Sequence, residues 1–119
     1  MVSVARGGQR LTRVLIVGDV IDDIVVTPLG NVTRDSDTTS RIRATPGGSA
    51  ANQAAWLAVS GVKVRFVARV GAADVARHRL ELSVFGIDAE LIADPDAPTG
   101  TIVVMLDAEG DRVEIAVRE

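Results

Sequence analysis

The sequence predicts an α/β fold: a βαβ parallel-sheet body carrying a small β-sheet lid. Three observations predict it. Segments of strand character alternate with segments of helix character along most of the chain. The first strand candidate, RVLIVGD, is a continuous apolar run from Val14 to Val17, which suits a strand buried on both faces of a parallel sheet. Residues 27 to 46 and the final TIVVMLD…RVEIAVRE carry β-branched residues but do not fit that sheet. They are expected to pair with each other as a separate lid.

Residues 1 to 12 read as a loose tail before the first strand, which Gly18 stops. IVV at 24 to 26 adds a short β-prone piece. TTSRIRAT, within the polar stretch that follows, reads as an exposed strand of the projecting sheet. Residues 49 to 60 contain no glycine or proline and are rich in alanine, which favours helix. Ser49 is placed as its N-cap and Gly61 as its C-terminal stop. Ala51, Ala54, Ala55 and Ala58 let this helix lie close to a sheet. Val62 to Phe66 alternate as a strand. A second helix is expected over 73 to 85, capped by Asp74, with Val75, Leu80, Val84 and Phe85 on its apolar side and Gly86 ending it. His78 is assigned to its solvated face, and Trp56 to the core or an interface rather than to stacking on a ligand. IDAELIAD reads as a third core strand. TIVVMLD and RVEIAVRE flank AEG as a β-hairpin, with Val113, Ile115 and Val117 on a covered face. Three core strands and two helices make a thin sheet with an open edge. The chain is expected to be the first part of something longer.

The totals bound the function. With 119 residues the chain fits one small domain. It is 47% hydrophobic with mean hydropathy +0.26, so a packed core is expected. A net charge of -3 leaves no basic footprint for nucleic acid. There are no cysteines and only one histidine, which excludes disulfides and a histidine–thiolate zinc site. No apolar run reaches membrane-span length, and the opening residues lack the apolar block of a signal peptide. A cytoplasmic protein with no membrane partner is the expectation.

The stretch TPGGSAANQAAWLAVSG, residues 45 to 61, carries the candidate chemistry. Parallel α/β sheets bind ligands in the crevice at the carboxyl ends of their strands. Gly18 ends the first strand there, followed by Asp19, Asp22 and Asp23. Gly47 and Gly48 precede a helix, where bare backbone can approach a ligand closely. Asn52 adds an amide donor and acceptor in the first turn. Carboxylate, amide and exposed backbone together suit a polyhydroxyl ligand, because hydroxyls need both acceptors and donors. The same residues also serve as turn and cap residues, and composition leaves both readings open. No G-x-x-x-x-G-K-[ST] occurs, and GDVIDD is not G-x-G-x-x-G, so neither a Walker-type NTPase nor a dinucleotide binder is supported.

The motifs taken together resemble the amino-terminal part of the ribokinase-like, or PfkB, family of carbohydrate kinases. GGSAANQA with Gly61 and Gly71 resembles that family's first signature, and VGDVIDD its opening strand. FVARVGAAD is similar to its F-x-G-x-V-G-x-D element, with Ala68 in place of the usual glycine. FGID and PTGTIVVMLDAEGDR resemble its later G-V-D and T-G…D-x-x-G-x-R elements. The resemblance covers about residues 12 to 118. It implies a Rossmann-like body, hence a partial ribokinase-like fold, with lid strands at about 27–46 and 100–118. It implies that Asp23, Gly47, Gly48 and Asn52 hold sugar hydroxyls and that lid residues such as Ile102 and Val104 cover the ring. Asp22 matches a non-contact position.

The departures from the family pattern also carry information. The family's catalytic aspartate lies in a G-A-G-D motif in its second half, with the ATP pocket and magnesium ligands. No G-A-G-D occurs in this sequence. ATP and Mg2+ are thus implied for an intact family enzyme and for no residue of this chain, which carries no catalytic residue and is expected to be inactive alone. The segment from Ser49 lacks a lysine common in ribokinases proper, so ribose is not favoured. The implied function is the sugar-binding and lid portion of an ATP-dependent kinase acting on a sugar or nucleoside hydroxyl, with a homodimer through the lid as the implied assembly. The alternative is a non-catalytic polyol-binding or dimerisation module derived from that family.

Overall fold

The computed structural model describes residues 2–6 and 12–117, with side chains over 13–113. Two four-stranded sheets share no strand. The body sheet has the order β1 (Val2–Arg6), β2 (Thr12–Val17), β5 (Lys63–Gly71), β6 (Asp88–Asp94). The lid sheet has the order β4 (Ser40–Gly47), β3 (Ile21–Pro28), β7 (Thr101–Leu106), β8 (Arg112–Val117). Helix α1 (Ser49–Val59) connects β4 to β5, and α2 (Val75–Ser83) connects β5 to β6 after a 3-10 turn at Ala72–Asp74. The predicted α/β body with a small β lid is therefore what the chain forms.

Strands β2, β5 and β6 run parallel, with Ile16 opposite Phe66 and Phe66 opposite Ala89. Both crossovers step the same way across this sheet. Right-handed connections then place α1 and α2 on one face, where α1 packs on β2 and β5 and α2 on β6. Alternation decides which side chains meet them. Val14, Ile16, Val64, Phe66, Ala68, Val70 and Leu91 are buried beneath the helices. Ala51 and Ala54 bring α1 close to them. Phe66, fully buried, is the centre of this core and contributes about 1.5–3 kcal/mol by burial.

Five expectations need correction here. Val2–Arg6 is not a tail: it pairs antiparallel with β2, Val4 opposite Val14, and fills the edge that β2 would otherwise leave open. The β2 run is buried on one face only, because both helices lie on the same side. Leu15 is half-buried and Val17 is 37% exposed. Along α2 the expected faces hold only for Val75, which packs against the core. His78 is fully buried with Leu82, whereas Leu80, Val84 and Phe85 are exposed. At 3.6 residues per turn Val75, His78 and Leu82 fall on one face of the helix, and Leu80 and Val84 on the other. Trp56 is 77% exposed, which overturns the core half of its core-or-interface assignment. Val113 is 65% exposed, so it does not face a covered side of the hairpin; the side chains of Ile115 and Val117 lie outside the described residues.

The lid sheet is mixed. β3 is antiparallel to β4 from Ile21–Gly47 to Pro28–Ser40, and parallel to β7 from Asp22–Thr101 to Val26–Met105. β8 closes the sheet as the predicted hairpin with β7. Its turn is held by Asp107, whose Oδ1 accepts the N–H groups of Glu109 and Asp111 at 3.0 and 2.8 Å. Gly61 and Gly86, with φ of 93° and 73°, follow the ends of α1 and α2, as the sequence predicts.

Candidate functional site

The site is built where β2 ends and α1 begins. The Gly18 N–H donates to the Val67 carbonyl at 3.1 Å, and a methyl group at Gly18 would collide with the Ala50 side chain. The absence of a side chain lets α1 start directly over the strand end. Asp19 then does what Ser49 was expected to do. Its Oδ1 accepts the Ala50 N–H at 3.2 Å and its carbonyl accepts the Ala51 N–H at 3.1 Å. The N-cap position is Gly48, which has no side chain to contribute, so the helix's first N–H groups are satisfied from a distant segment.

The glycine pair threads between two aspartates. Gly48 has φ of 101°, and a Cβ there would lie 2.8 Å from the Asp19 carbonyl oxygen. A Cβ at Gly47 would lie 2.6 Å from Asp23 Oδ1. Backbone that bare is needed because β4 ends against the Asp23 carboxylate.

An open cleft of about 690 Å³ lies over the carboxyl ends of β2, β5 and β6. Asp19, Asp23, Gly48 and Asn52 line one side, and Ile102 and Val104 line it from the lid. Gly47 is not itself a lining residue but backs the Asp23 carboxylate. The structure thus brings Asp23, Gly48 and Asn52 together with the two lid residues. Asp22 is turned away, its carboxylate bound to Arg77 on α2. Trp56, His78, Arg34, Arg41 and Arg43 do not line the cleft.

Sequence reading missed Arg69 and Asp94, which stand at the carboxyl ends of β5 and β6 and also line the cleft. They pair with each other across the strands, Arg69 Nε donating to Asp94 Oδ2 at 2.8 Å. Asp94 Oδ1 accepts the N–H groups of Asp96 and Ala97 at 2.9 and 3.0 Å. These donors, Arg69 foremost, hold the Asp94 carboxyl down to about 2. The strand-end position was the signal that could have found both residues.

Chemically, the cleft combines carboxylates, one amide, helix-start backbone and an apolar lid. That set can accept and donate hydrogen bonds to several hydroxyls and cover an apolar ring face. Among the described residues there is no group of three His, Cys, Asp or Glu side chains able to hold a metal ion. Among the described residues no helix is long and apolar enough to cross a membrane.

Residues 11–119 match the model of the pfkB family carbohydrate kinases. Solved structures are similar in fold. A ribokinase from Thermotoga maritima is 25% identical, with TM-score 0.68, over 87% of this chain and 35% of that one. A ribokinase from Cryptococcus neoformans var. grubii serotype A, in complex with ADP, is 24% identical with TM-score 0.72, over 87% and 33%. A nucleoside kinase from Methanocaldococcus jannaschii, described as an archaeal member of the ribokinase family, is 19% identical with TM-score 0.73, over 87% and 36%. The chain therefore spans about a third of the length of the solved structures it matches. No curated protein sequence matches it. With its family signature extending over nearly the whole chain, this protein belongs to the pfkB family of carbohydrate kinases.

Proposed function

We propose that the chain is the acceptor-binding and lid portion of an ATP-dependent carbohydrate kinase that phosphorylates a hydroxyl of a sugar or nucleoside. One observation carries the reading. Asp23 from β3, Gly48 and Asn52 from the start of α1, and Ile102 and Val104 from β7 meet on one cleft. Asp23 accepts hydrogen bonds from ligand hydroxyls, Asn52 donates and accepts, and Gly47 and Gly48 keep the wall bare enough for close approach. The lid residues exclude water from the ring.

ATP and Mg2+ belong in this reading to the intact family enzyme and to no residue of this chain. The described residues offer no group of three His, Cys, Asp or Glu side chains able to hold a metal ion, and the sequence holds neither a phosphate loop nor G-A-G-D. Phosphoryl transfer requires nucleophile, metal and phosphate to be positioned together, so no chemical step is assigned to this third of the fold. Homodimerisation through the lid belongs to the same proposal. Its support is the exposed apolar surface of Leu29, Val32, Ile42 and Val113 on the lid.

The test is calorimetric titration of D-fructose, D-ribose and adenosine into the chain and into Asp23→Ala. Binding of at least one ligand, abolished by the substitution, is expected. Equal affinity in the two proteins would overturn the assignment of Asp23.

A further inference from the structure

The root of the lid is gripped by ionisable side chains that the cleft does not use. Neighbouring strand residues point to opposite faces, so Asp22 faces α2 while Asp23 faces the cleft. Arg77 Nη1 and Nη2 donate to Asp22 Oδ1 and Oδ2 at 2.8 and 2.9 Å, a bidentate fork. The same guanidinium lies 3.3 Å from Asp74 Oδ1 and 3.6 Å from Glu81 Oε1. Asp74 Oδ2 accepts the Thr99 hydroxyl at 2.6 Å, and Thr99 Oγ1 accepts the Gly71 N–H at 3.0 Å. A lid strand, a helix and the loop leading to β7 are thereby tied to one cation.

Beneath it lies His78, fully buried. Its Nε2 is 3.3 Å from Asp22 Oδ1 and its Nδ1 3.3 Å from Glu81 Oε2, yet neither nitrogen is hydrogen-bonded. An unbonded buried imidazole is costly where an apolar side chain would fill the space. Its place against Asp22 gives it a reason other than packing. The body and lid sheets share no strand, so the lid's angle depends on its connections and on this cluster.

We propose that Asp22 and Arg77 are positioning residues that clamp the lid root to α2, with His78 packed beneath them, fixing the lid angle and, through the shared strand, the place of the Asp23 carboxylate. The part concerning Asp23 rests on the sugar-binding reading; the clamp itself does not.

The test reads the two parts separately. The chain has no cysteine, so spin labels can be attached at Ile42→Cys on the lid and Val59→Cys on α1, both 67% exposed. Pulsed dipolar spectroscopy then gives the lid–body distance distribution. A narrow distribution is expected for the parent, a broader or shifted one for Asp22→Asn and Arg77→Ala. Arg77→Lys should fall between them, since it keeps the charge but loses the fork. Distributions unchanged in all three variants would overturn the clamp. If Arg77→Ala fails to fold, the near-isosteric Asp22→Asn decides. In the second arm, Asp22→Asn should weaken D-fructose or adenosine binding about tenfold to a hundredfold, as for a misplacement of roughly 1 Å. A broadened distribution with parental affinity would overturn the link to Asp23. A parent that binds none of these ligands would overturn the sugar-binding reading, and the distance arm would then decide the clamp alone.

Discussion

Gly47→Ala separates the site from the fold more cleanly than any other single change. The new methyl would lie 2.6 Å from Asp23 Oδ1, whereas ordinary contact begins at 3.4 Å. Gly47 closes β4 opposite Ile21 and has no positive φ, so alanine adopts its backbone without strain. The carboxylate must give way by about 1 Å. Misplacement on that scale costs a binding or catalytic site up to about 100-fold, equivalent to about 2.7 kcal/mol of affinity. The fold pays little, because the half-buried Asp23 carboxylate is the end of a side chain that can shift and Gly→Ala stabilises by about 0.4–1 kcal/mol through lower unfolded-state entropy. Stability should therefore change by less than about 1 kcal/mol. Gly30→Ala is the control, since nothing lies within 4 Å of a Cβ there. Calorimetric titration with D-fructose, D-ribose and adenosine reads affinity, and urea denaturation reads stability. Unchanged affinity for a ligand that the parent binds, in a folded Gly47→Ala protein, would refute the argument that this glycine exists to make room for Asp23.

The remaining predictions concern stability. Phe66→Ala, at the fully buried centre of the body sheet, should cost about 3–5 kcal/mol in urea denaturation. Trp56→Ala, at a 77% exposed position, should fall within about 0.5 kcal/mol of the parent; a cost comparable to Phe66→Ala would refute the exposed placement. Asp94 titrates near 2 in the folded protein because Arg69 and two backbone N–H groups favour its ionised form. Against an unfolded value of about 3.9, its contribution is fully present above that value and is lost as pH falls toward the folded one. The difference in urea midpoint between the parent and Asp94→Asn should thus be present at about pH 6 and shrink toward about pH 2. A difference that stays constant over that range would show that the ion pair does not act through ionisation.

The sequence by itself determined the order of the main elements and the class of fold. Apolar runs, alanine-rich helix and glycine stops are local signals, and they fall where β2, α1, β5, β6 and the β7–β8 hairpin form. It also carried the family signature, because GGSAANQA and VGDVIDD are short contiguous motifs. What it did not carry depends on residues far apart in the chain. Whether β2 is covered on one face or two depends on the direction of two crossovers. Which side of α2 is buried depends on the sheet it packs against and on Asp22, 56 positions before His78. The cap of α1 comes from Asp19 rather than Ser49, and Val2–Arg6 becomes a strand only because β2 offers an unpaired edge. Arg69 and Asp94 join the cleft because parallel strands bring their carboxyl ends side by side. Local sequence encodes what a segment prefers to be; the partner that satisfies its backbone, its charges and its apolar face is chosen by tertiary structure.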